Sequence, residues 1–413
     1  MSAPSVRLSL CGDVMLGRGV DQILPHPGDA ALREAFVRDA LAYVELAEAV
    51  NGRIARPVDF CWPWGDVLHL LDGFEPSVRV VNVETSITRS AAFAPRKAVH
   101  YRVNPLNVPC LSAARPDVCT LANNHVLDFG YPGLEETLRT LAGAGLRAVG
   151  AGKNAHEARQ PAIVPLSGGG RAVILSVGMA SSGIPEAWVA SEQQPGVDFL
   201  AEPSQMAAAD VTDRVHVVKR AGDIAVVSIH WGSNWGYDIA DDQVSFAHAL
   251  IDGGVDVVHG HSSHHPRPVE VYEGKLILYG CGDFVDDYEG ITGYEEFRDD
   301  LRLLFLVSLD PRTGELADMR MAPLQARQMR LWHASGEDSR WLRSTLDRVS
   351  RRFGSRIDLE PDGMLILRRR RPPTSNCRTT PPATTIPTAS AKYCPAERLR
   401  PRARHACRVS QRR

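Results

Sequence analysis

The chain has 413 residues, of which 44% are hydrophobic and 23% charged, a composition typical of a globular protein. Its 47 Lys and Arg nearly balance its 49 Asp and Glu, which excludes a uniformly basic nucleic-acid binder. We find no apolar run near the roughly 18 residues of a membrane-spanning helix, and no secretory signal pattern at the N-terminus. We therefore expect a cytoplasmic protein with no membrane span and no specific nucleic-acid partner.

Apolar segments typical of β-strands alternate with helix-like segments along the chain. The predicted strands lie at 6–14, 78–84, 117–122, 171–178, 223–231, 255–260, 275–280 and 301–309, and the predicted helices at 30–50, 133–144, 202–221 and 243–253. Several of these strands are almost continuously apolar, as expected for strands buried on both faces. The alternation predicts an α/β layered domain.

The domain organisation is predicted from shifts in composition. One domain covers about 5–325, and a C-terminal extension covers 326–367, with a helix at 339–352 and a short strand near 364–367. The remaining tail, 368–413, has 13 Lys and Arg against a single acid, Glu397, and is rich in Pro and Thr. Such a segment buries too little apolar surface to offset its ordering entropy, so we predict that it is disordered.

Polar side chains cluster where the predicted strands end. The residues in these positions are Asp13, Asn82, Glu84, Asn123, Asn124, His125, His230, His259, His261, His264 and His265. Ligands of α/β sheets bind outside the carboxyl ends of the strands, on loops that the sheet positions. We therefore expect these side chains to converge at one edge of the sheet.

The chemistry of this set indicates a metal centre. Carboxylate, amide and imidazole ligands without thiolate favour one or two divalent ions, with Mn, Fe or Zn as the first candidates. A bridging carboxylate, Asp13 or Glu84, would allow two cations to lie about 3.5–4 Å apart.

Five motifs carry a resemblance to a known family. They are GDVMLGR (12–18), NVET (82–85), NNHVLDFG (123–130), HWG (230–232) and GHSSHHPRPVEVYEGKLILYGCGDFVDDY (260–288). In this order they resemble the CapA family of capsule or poly-γ-glutamate synthesis proteins, within the calcineurin-like metallophosphatase superfamily. The resemblance covers roughly 8–288. It implies an α/β fold of the metallo-dependent phosphatase type, a four-layer αββα sandwich with a metal site at one edge.

The resemblance also implies roles for individual residues. The implied metal ligands are Asp13, Glu84, Asn124, His230, His261 and His264, and His125 is implied as the proton donor to the leaving group. Compared with other metallophosphatases, Met15 stands where the first motif carries a histidine, and Glu84 replaces an aspartate.

Three further residues are candidates from their own chemistry. We expect Asp128 to orient the imidazole of His125. Arg18 and His265 are candidates for contact with an anionic substrate, and Arg18 fits a pairing with a neighbouring acid equally well.

The sequence thus predicts a hydrolase in which one or two divalent cations activate water. Its substrate would be a phosphate ester or an anionic molecule or polymer related to capsule or poly-γ-glutamate synthesis. Two alternatives stay open: a non-catalytic accessory protein with capsule-synthesis partners, and a metal-dependent amidase that cleaves γ-glutamyl bonds.

Overall fold

The structure is a computed structural model that describes residues 5–369. The predicted disordered tail lies outside the described residues from position 370 onward. The first part of the chain forms β1 (Val6–Val14), α1 (Gly19–Ile23), α2 (Leu41–Asn51), α3 (Val67–Phe74), β2 (Val78–Val83), β3 (Ser86–Ile87), β4 (Arg102–Val103), α4 (Val108–Ala113), β5 (Val118–Thr120), α5 (Gly130–Gly143), β6 (Arg147–Val149), β7 (Ala151–Gly152) and α6 (Ala155–Arg159).

The second part continues with β8 (Ala162–Pro165), β9 (Arg171–Met179), β10 (Gly196–Val197), β11 (Phe199–Leu200), α7 (Gln205–Val218), β12 (Ile224–His230), α8 (Asp241–Asp252), β13 (Val257–His261), β14 (Val269–Tyr272), β15 (Lys275–Leu278), β16 (Asp283–Val285), β17 (Leu301–Leu309), β18 (Leu316–Ala326), β19 (Leu331–His333), α9 (Gly336–Ser350), β20 (Ser355–Leu359) and β21 (Leu365–Arg369). Short 3-10 helices lie at Trp62–Trp64, Pro105–Asn107, Ala180–Ser182, Glu186–Trp188, Glu295–Phe297 and Arg351–Phe353. None of the helices within 5–369 is long and apolar enough to cross a membrane.

Two large sheets form the centre of the fold. The first has ten strands, with the order β20-β21-β18-β17-β1-β2-β5-β6, while β16 pairs with β1 and β19 with β18. The second has seven strands, with the order β11-β9-β12-β13-β15-β14, while β8 pairs with β9. Strands β1, β2, β5 and β6 run parallel to one another, as do β9, β12, β13 and β15.

The burial pattern of the strands shows how the layers stack. In β9, Ala172 and Ile174 face a core shared with the first sheet, whereas Val173 and Leu175 pack against α7 and α8. On β1, Leu8 belongs to the same inter-sheet core. The outer face of the first sheet is covered by α2, α3, α4 and α5. Since successive strand residues point to opposite faces, the result is the predicted four-layer αββα sandwich, which is confirmed.

The helix predicted at 30–50 is wrong in its first half, because α2 begins only at Leu41. Before that point the chain forms an isolated bridge between Ala31 and Asp39. The carboxylate of Asp29 accepts a hydrogen bond from the backbone N–H of Ala31 (3.0 Å), and that of Asp39 accepts one from Leu41 (2.9 Å). These local bonds compete with helical ones, and they explain the late start of the helix.

The segment predicted as a C-terminal extension supplies α9 and the β20–β21 hairpin. The helix predicted at 339–352 is observed at Gly336–Ser350. The hairpin joins the edge of the ten-stranded sheet because β21 pairs with β18. Since β18 itself runs across position 325, the domain boundary at 325 stays a prediction.

The carboxyl ends of the parallel strands lie together and position the site. Asp13 on β1 stands in register with Asn82 on β2, and His230 on β12 with His261 on β13. The two sheets meet here, because Nε2 of His259 on β13 lies 2.8 Å from the carbonyl oxygen of Cys11 on β1.

Candidate metal centre

Asp13, His230 and His261 form one cluster, in which a ligand atom from each lies within 4.8 Å of the others. Nδ1 of His230 is 2.8 Å from Nδ1 of His261, and the latter is 3.6 Å from Oδ1 of Asp13. All three residues are fully buried. Two ligands that each lie about 2.1 Å from one first-row ion stand roughly 3–3.5 Å apart. The cluster therefore has the size of a metal site.

The protonation of the two imidazoles fits such an ion. Nε2 of His261 lies 2.9 Å from the Ser228 hydroxyl, and Nε2 of His230 lies 3.1 Å from Oδ1 of Asn124. When each Nε2 proton is directed to its oxygen, both Nδ1 lone pairs face each other. Burial lowers the pKa of both histidines well below the usual value, so both are neutral at pH 7. Neutral imidazole with carboxylate is a donor set that Mn, Fe and Zn accept.

Glu84 and Asn82 border this cluster. Oε1 of Glu84 lies 3.7 Å from Nε2 of His230. The amide of Asn82 donates to Oδ1 of Asp13 (2.7 Å) and to Oε2 of Glu84 (3.3 Å), so it ties the two carboxylates together. Burial, together with neighbouring carboxylates, raises the pKa of Asp13 to about 7 and that of Glu84 well above the usual value. Buried acids of this kind cost free energy unless positive charge compensates them.

His125 lies beside the cluster and is held by two charged residues. Its Nδ1 is 2.7 Å from Oδ2 of Asp128 and 2.7 Å from Nζ of Lys97, which also donates to Asp128 (2.5 Å). Its Nε2 points toward Glu84, 3.8 Å from Oε1. The Tyr101 ring packs edge-on against the imidazole, with centroids 4.6 Å apart. The carboxylate of Asp128 thus contacts the ring at Nδ1, and its predicted role in orienting His125 stays a prediction.

The charges around His125 set its protonation. Burial lowers its pKa to about 4, because the attraction of Asp128 is outweighed by desolvation and by the positive charge of Lys97. Burial by itself would raise the pKa of Asp128, but the neighbouring His125 and Lys97 together lower this pKa. Burial also lowers the pKa of Lys97. His125 is therefore neutral at pH 7 in the free protein.

His264, another of the predicted metal ligands, is paired with a residue outside the predicted set, Asp283. Its Nδ1 lies 2.9 Å from Oδ1 of Asp283, and its Nε2 lies 2.9 Å from the side-chain amide of Asn234. Burial alone would lower the pKa of His264, but the Asp283 carboxylate raises it. Asp283 in turn stands in register with Asp13 on the neighbouring strand. His264 is thus linked to the cluster through Asp283.

Arg18 is engaged by acids of the protein itself. It forms a two-point ion pair with Asp287 (2.5 and 3.1 Å) and a third bond to Glu34 (3.0 Å). Its guanidinium also lies over the rings of Tyr43 and Tyr101, 3.8 and 4.4 Å from their centroids. Of the two interpretations that the sequence left open, this geometry favours pairing with neighbouring acids. A contact with substrate remains a prediction.

His265 lies in an aromatic environment. Its ring is stacked against Phe297, with centroids 4.6 Å apart, and it meets Tyr237 edge-on. It is fully buried, and burial lowers its pKa to about 4. The predicted contact of His265 with substrate is not tested by this arrangement.

The backbone around the cluster is constrained at two points. Ser262 has φ 98°, a conformation rare for any residue except glycine, and its N–H donates to Oδ2 of Asp13 (3.0 Å). Gly12 lies so close to Gly282 that a Cβ on Gly12 would stand 1.5 Å from the Gly282 carbonyl oxygen. Such constraints persist where surrounding packing enforces them, commonly at functional sites.

Two residues of this region, Lys97 and Asp283, are not among those predicted from the sequence. Asp283 follows the strand predicted at 275–280, so the rule that polar residues gather at strand ends could have found it. Lys97 lies in a loop, and neither periodicity nor a motif distinguishes it there.

The layers and the cluster at the carboxyl edge of the parallel strands place the chain in the metallophosphatase class of αββα folds. Its sequence matches the family described as "Bacterial capsule synthesis protein PGA_cap" over residues 7–288. The chain belongs to this family, and the predicted resemblance to CapA proteins is confirmed.

The chain is similar to several named proteins. The probable polyglutamine synthesis accessory protein of Mycobacterium tuberculosis is 56% identical over 361 residues, which cover 87% of this chain and 95% of the relative. The PGA biosynthesis protein CapA of Bacillus subtilis is 28% identical over 68% of this chain and 63% of its own length. The capsule biosynthesis protein CapA of Bacillus anthracis is 26% identical over 68% of this chain and 59% of its own. A solved structure from Thermus thermophilus matches 62% of this chain and 93% of that chain at 13% identity, with a TM-score of 0.33, too low to support an argument.

Proposed function

We propose that this chain is a metal-dependent hydrolase, and that its substrate is an anionic ester, in the first instance a phosphate ester. The observation that carries the proposal is the position of His125, oriented by Asp128, beside the cluster of Asp13, His230 and His261. A divalent cation held there would supply a Lewis acid and would lower the pKa of bound water.

Asp13, His230 and His261, at three strand ends, would form the central ligand set of this cation. Glu84 and Asn124 lie at Nε2 of His230, away from its Nδ1, and their role as ligands stays a prediction. Mn, Fe or Zn would suit this mixture of carboxylate, amide and imidazole. The number of ions and the role of His264 as a ligand stay predictions.

His125 is placed to move a proton. Asp128 fixes its Nδ1, so that Nε2 faces Glu84 and the cluster. A proton at Nε2 would be donated to the leaving oxygen. The pKa of about 4 leaves the free imidazole neutral, but the negative charge of a bound phosphate would raise this pKa and favour the protonated form. Lys97, with its ammonium beside the same ring, would attract that phosphate.

Arg18 would act as a positioning residue for His125. Its guanidinium lies over the Tyr101 ring, and that ring packs against His125. The ion pairs of Arg18 with Asp287 and Glu34 hold it in place. It would therefore act on the catalytic imidazole through Tyr101.

The test is hydrolysis by the purified chain after loading with Mn or Zn. We would compare p-nitrophenyl phosphate, bis-p-nitrophenyl phosphate and γ-glutamyl-p-nitroanilide as substrates. We expect ester turnover, with kcat about 10²–10⁴-fold lower in His125→Ala and unchanged in the control His156→Ala, which alters an exposed histidine. Absence of ester turnover would contradict the proposal. Turnover of the amide alone would favour the γ-glutamyl amidase.

A second candidate function comes from the relatives. The M. tuberculosis relative is named an accessory protein of polyglutamine synthesis, so this chain would act without catalysis alongside capsule-synthesis partners. Complementation of a strain lacking the gene separates the two functions. If His125→Ala restores polymer production as well as the wild type does, the accessory function is favoured. The cytoplasmic location stays a prediction that cell fractionation would test.

A further inference from the structure

A series of buried hydrogen bonds leads from β1 to the candidate metal centre through His259. Nε2 of His259 lies 2.8 Å from the carbonyl oxygen of Cys11, and its Nδ1 lies 3.1 Å from the Ser228 hydroxyl. The same hydroxyl lies 2.9 Å from Nε2 of His261. His259, Ser228 and His261 are all fully buried. This hydrogen-bond relay, from Cys11 through His259 and Ser228 to His261, therefore ends on a histidine of the central cluster.

The pairing of β12 with β13 places the relay beside the cluster. Ser228 is in register with His259, and His230 is in register with His261 two positions further along. Since residues two apart on a strand point to the same face, all four side chains share the face that forms the inter-sheet core. Val257 on that face of β13 belongs to this core. The backbone of β1 in the other sheet can therefore reach His259.

The carbonyl group at the start of the relay decides where each proton lies. The oxygen of Cys11 can only accept, so the proton of His259 lies on Nε2. A buried imidazole is neutral unless a charge compensates it, and Nδ1 of the neutral ring is an acceptor for the Ser228 hydroxyl. The other acceptor near this hydroxyl, Thr120, is farther away at 3.5 Å. Ser228 therefore offers only lone pairs to His261, and the proton of His261 lies on Nε2.

This direction of the hydrogen bonds leaves a free lone pair on Nδ1 of His261. That atom lies 2.8 Å from Nδ1 of His230 and 3.6 Å from Oδ1 of Asp13. In metal-free protein, a proton between the two Nδ1 atoms would then belong to His230. Without His259, the Ser228 hydroxyl is free to turn and donate to Nε2 of His261. The proton of His261 would then lie on Nδ1, where it excludes a cation.

We propose that His259 is a positioning residue for the candidate metal centre: through Ser228 it keeps the proton of His261 on Nε2 and so keeps Nδ1 free for a divalent cation. This inference rests on the proposed metal-dependent function. Removing an outer hydrogen-bond partner of a histidine ligand weakens metal binding about 10–100-fold. We expect a loss of this size in His259→Leu, although His259 itself does not touch the cation.

Two measurements on the full chain, made without any substrate, test this role. Calorimetric titration of chelator-treated protein with Zn²⁺ gives the dissociation constant, and long-range proton–nitrogen NMR of metal-free protein shows which nitrogen of His261 is protonated. We expect the proton on Nε2 in the wild type and partly on Nδ1 in His259→Leu, with Zn²⁺ bound about 10–100-fold more weakly. The control His100→Leu removes another buried histidine, whose Nε2 lies 2.9 Å from the carbonyl oxygen of Ala94, and should leave both measurements unchanged.

The other outcomes overturn the inference. Unchanged Zn²⁺ affinity in His259→Leu, an equal loss in His100→Leu, or weaker binding with the His261 proton still on Nε2 would show that His259 only packs, and would leave the proposed function intact. A wild type that binds no Zn²⁺ would contradict the proposed function as well. If His259→Leu does not fold, Ser228→Ala decides, because it removes only the hydroxyl of the relay. Its Zn²⁺ affinity should fall by the same factor, and an unchanged affinity would refute the relay.

Discussion

His230 and His261 face each other through Nδ1 atoms 2.8 Å apart, at the ends of neighbouring parallel strands. Each ring has an oxygen partner at its Nε2, from Asn124 and Ser228 respectively. Burial keeps both rings neutral. Two lone pairs this close repel unless a cation or a proton lies between them. The cation is the interpretation that also accounts for the buried carboxylate of Asp13 nearby.

Removing the charge of Lys97 should raise the pKa of His125. The ammonium lies 2.7 Å from Nδ1 of the imidazole and contributes to lowering its pKa to about 4. In Lys97→Met that repulsion is lost, while the attraction of Asp128 remains. An NMR titration of the His125 ring protons should show the higher pKa. The control Lys153→Met changes an exposed lysine and should leave the pKa unchanged. An unchanged or lower pKa in Lys97→Met would show that the ammonium does not act on His125.

The pH dependence of stability in metal-free protein should report on Asp13. In the native state its pKa is raised to about 7, whereas an unfolded Asp titrates near about 3.9. Between these values the native state binds more protons, so the contribution of Asp13 to stability falls as the pH rises. Asn carries no such proton. Relative to wild type, Asp13→Asn should therefore gain free energy of unfolding from pH 4 to pH 7.

Urea unfolding in the presence of a chelator, at several pH values, measures this difference. The lowered pKa of His125 acts in the opposite direction in both proteins, because a depressed histidine pKa costs stability as the pH falls below about 6.5. The comparison of the two proteins largely cancels that effect. If the difference in free energy of unfolding between wild type and Asp13→Asn does not change with pH, the pKa of Asp13 is not raised in the native state.

Removing Arg18 should destabilise the fold. Arg18→Ala leaves the buried carboxylates of Asp287 and Glu34 without their partner. Loss of one member of a buried ion pair costs about 3–5 kcal/mol. Chemical denaturation measures this loss in the free energy of unfolding. The control Arg53→Ala changes an exposed position and should alter the free energy of unfolding by less than about 0.5 kcal/mol. If Arg18→Ala were as stable as wild type but had a higher KM, the substrate contact would be favoured instead.

The sequence predicted the long central strands of both sheets and the edge at which the candidate site lies, but it missed other strands, including β18 with its 11 residues. The predicted strands at 6–14 and 301–309 coincide with β1 and β17, because their apolar residues are buried on both faces. The strand-end rule led to Asp13 and His261, which the structure brings together.

Other features depend on distant contacts that no local pattern encodes. Lys97 reaches His125 from a loop, across 28 positions of sequence. The first half of the helix predicted at 30–50 does not form, because local side-chain hydrogen bonds compete with helical ones. Glu34 in this segment pairs with the distant Arg18. The close approach of Gly12 to Gly282 depends on the pairing of β16 with β1, two strands far apart in the sequence.

Gly12→Ala should disrupt the packing of these two strands. The added Cβ would stand 1.5 Å from the Gly282 carbonyl oxygen, a backbone atom that cannot turn aside. We expect a loss of at least about 4 kcal/mol in the free energy of unfolding. Gly143→Ala is the matched control: its Cβ meets nothing within 4 Å at the end of α5. This change should stabilise the protein by about 0.5–1 kcal/mol. Equal stability of the two variants would contradict the close approach.

The most direct test is elemental analysis of the purified wild type beside the Asp13→Ala His261→Ala double variant. The two changes remove two of the three residues in the central cluster. We expect the wild type to retain at least one equivalent of Mn, Fe or Zn after dialysis, and the folded double variant to retain none. Equal metal content in the two proteins, or a wild type that takes up no divalent metal, would contradict the account.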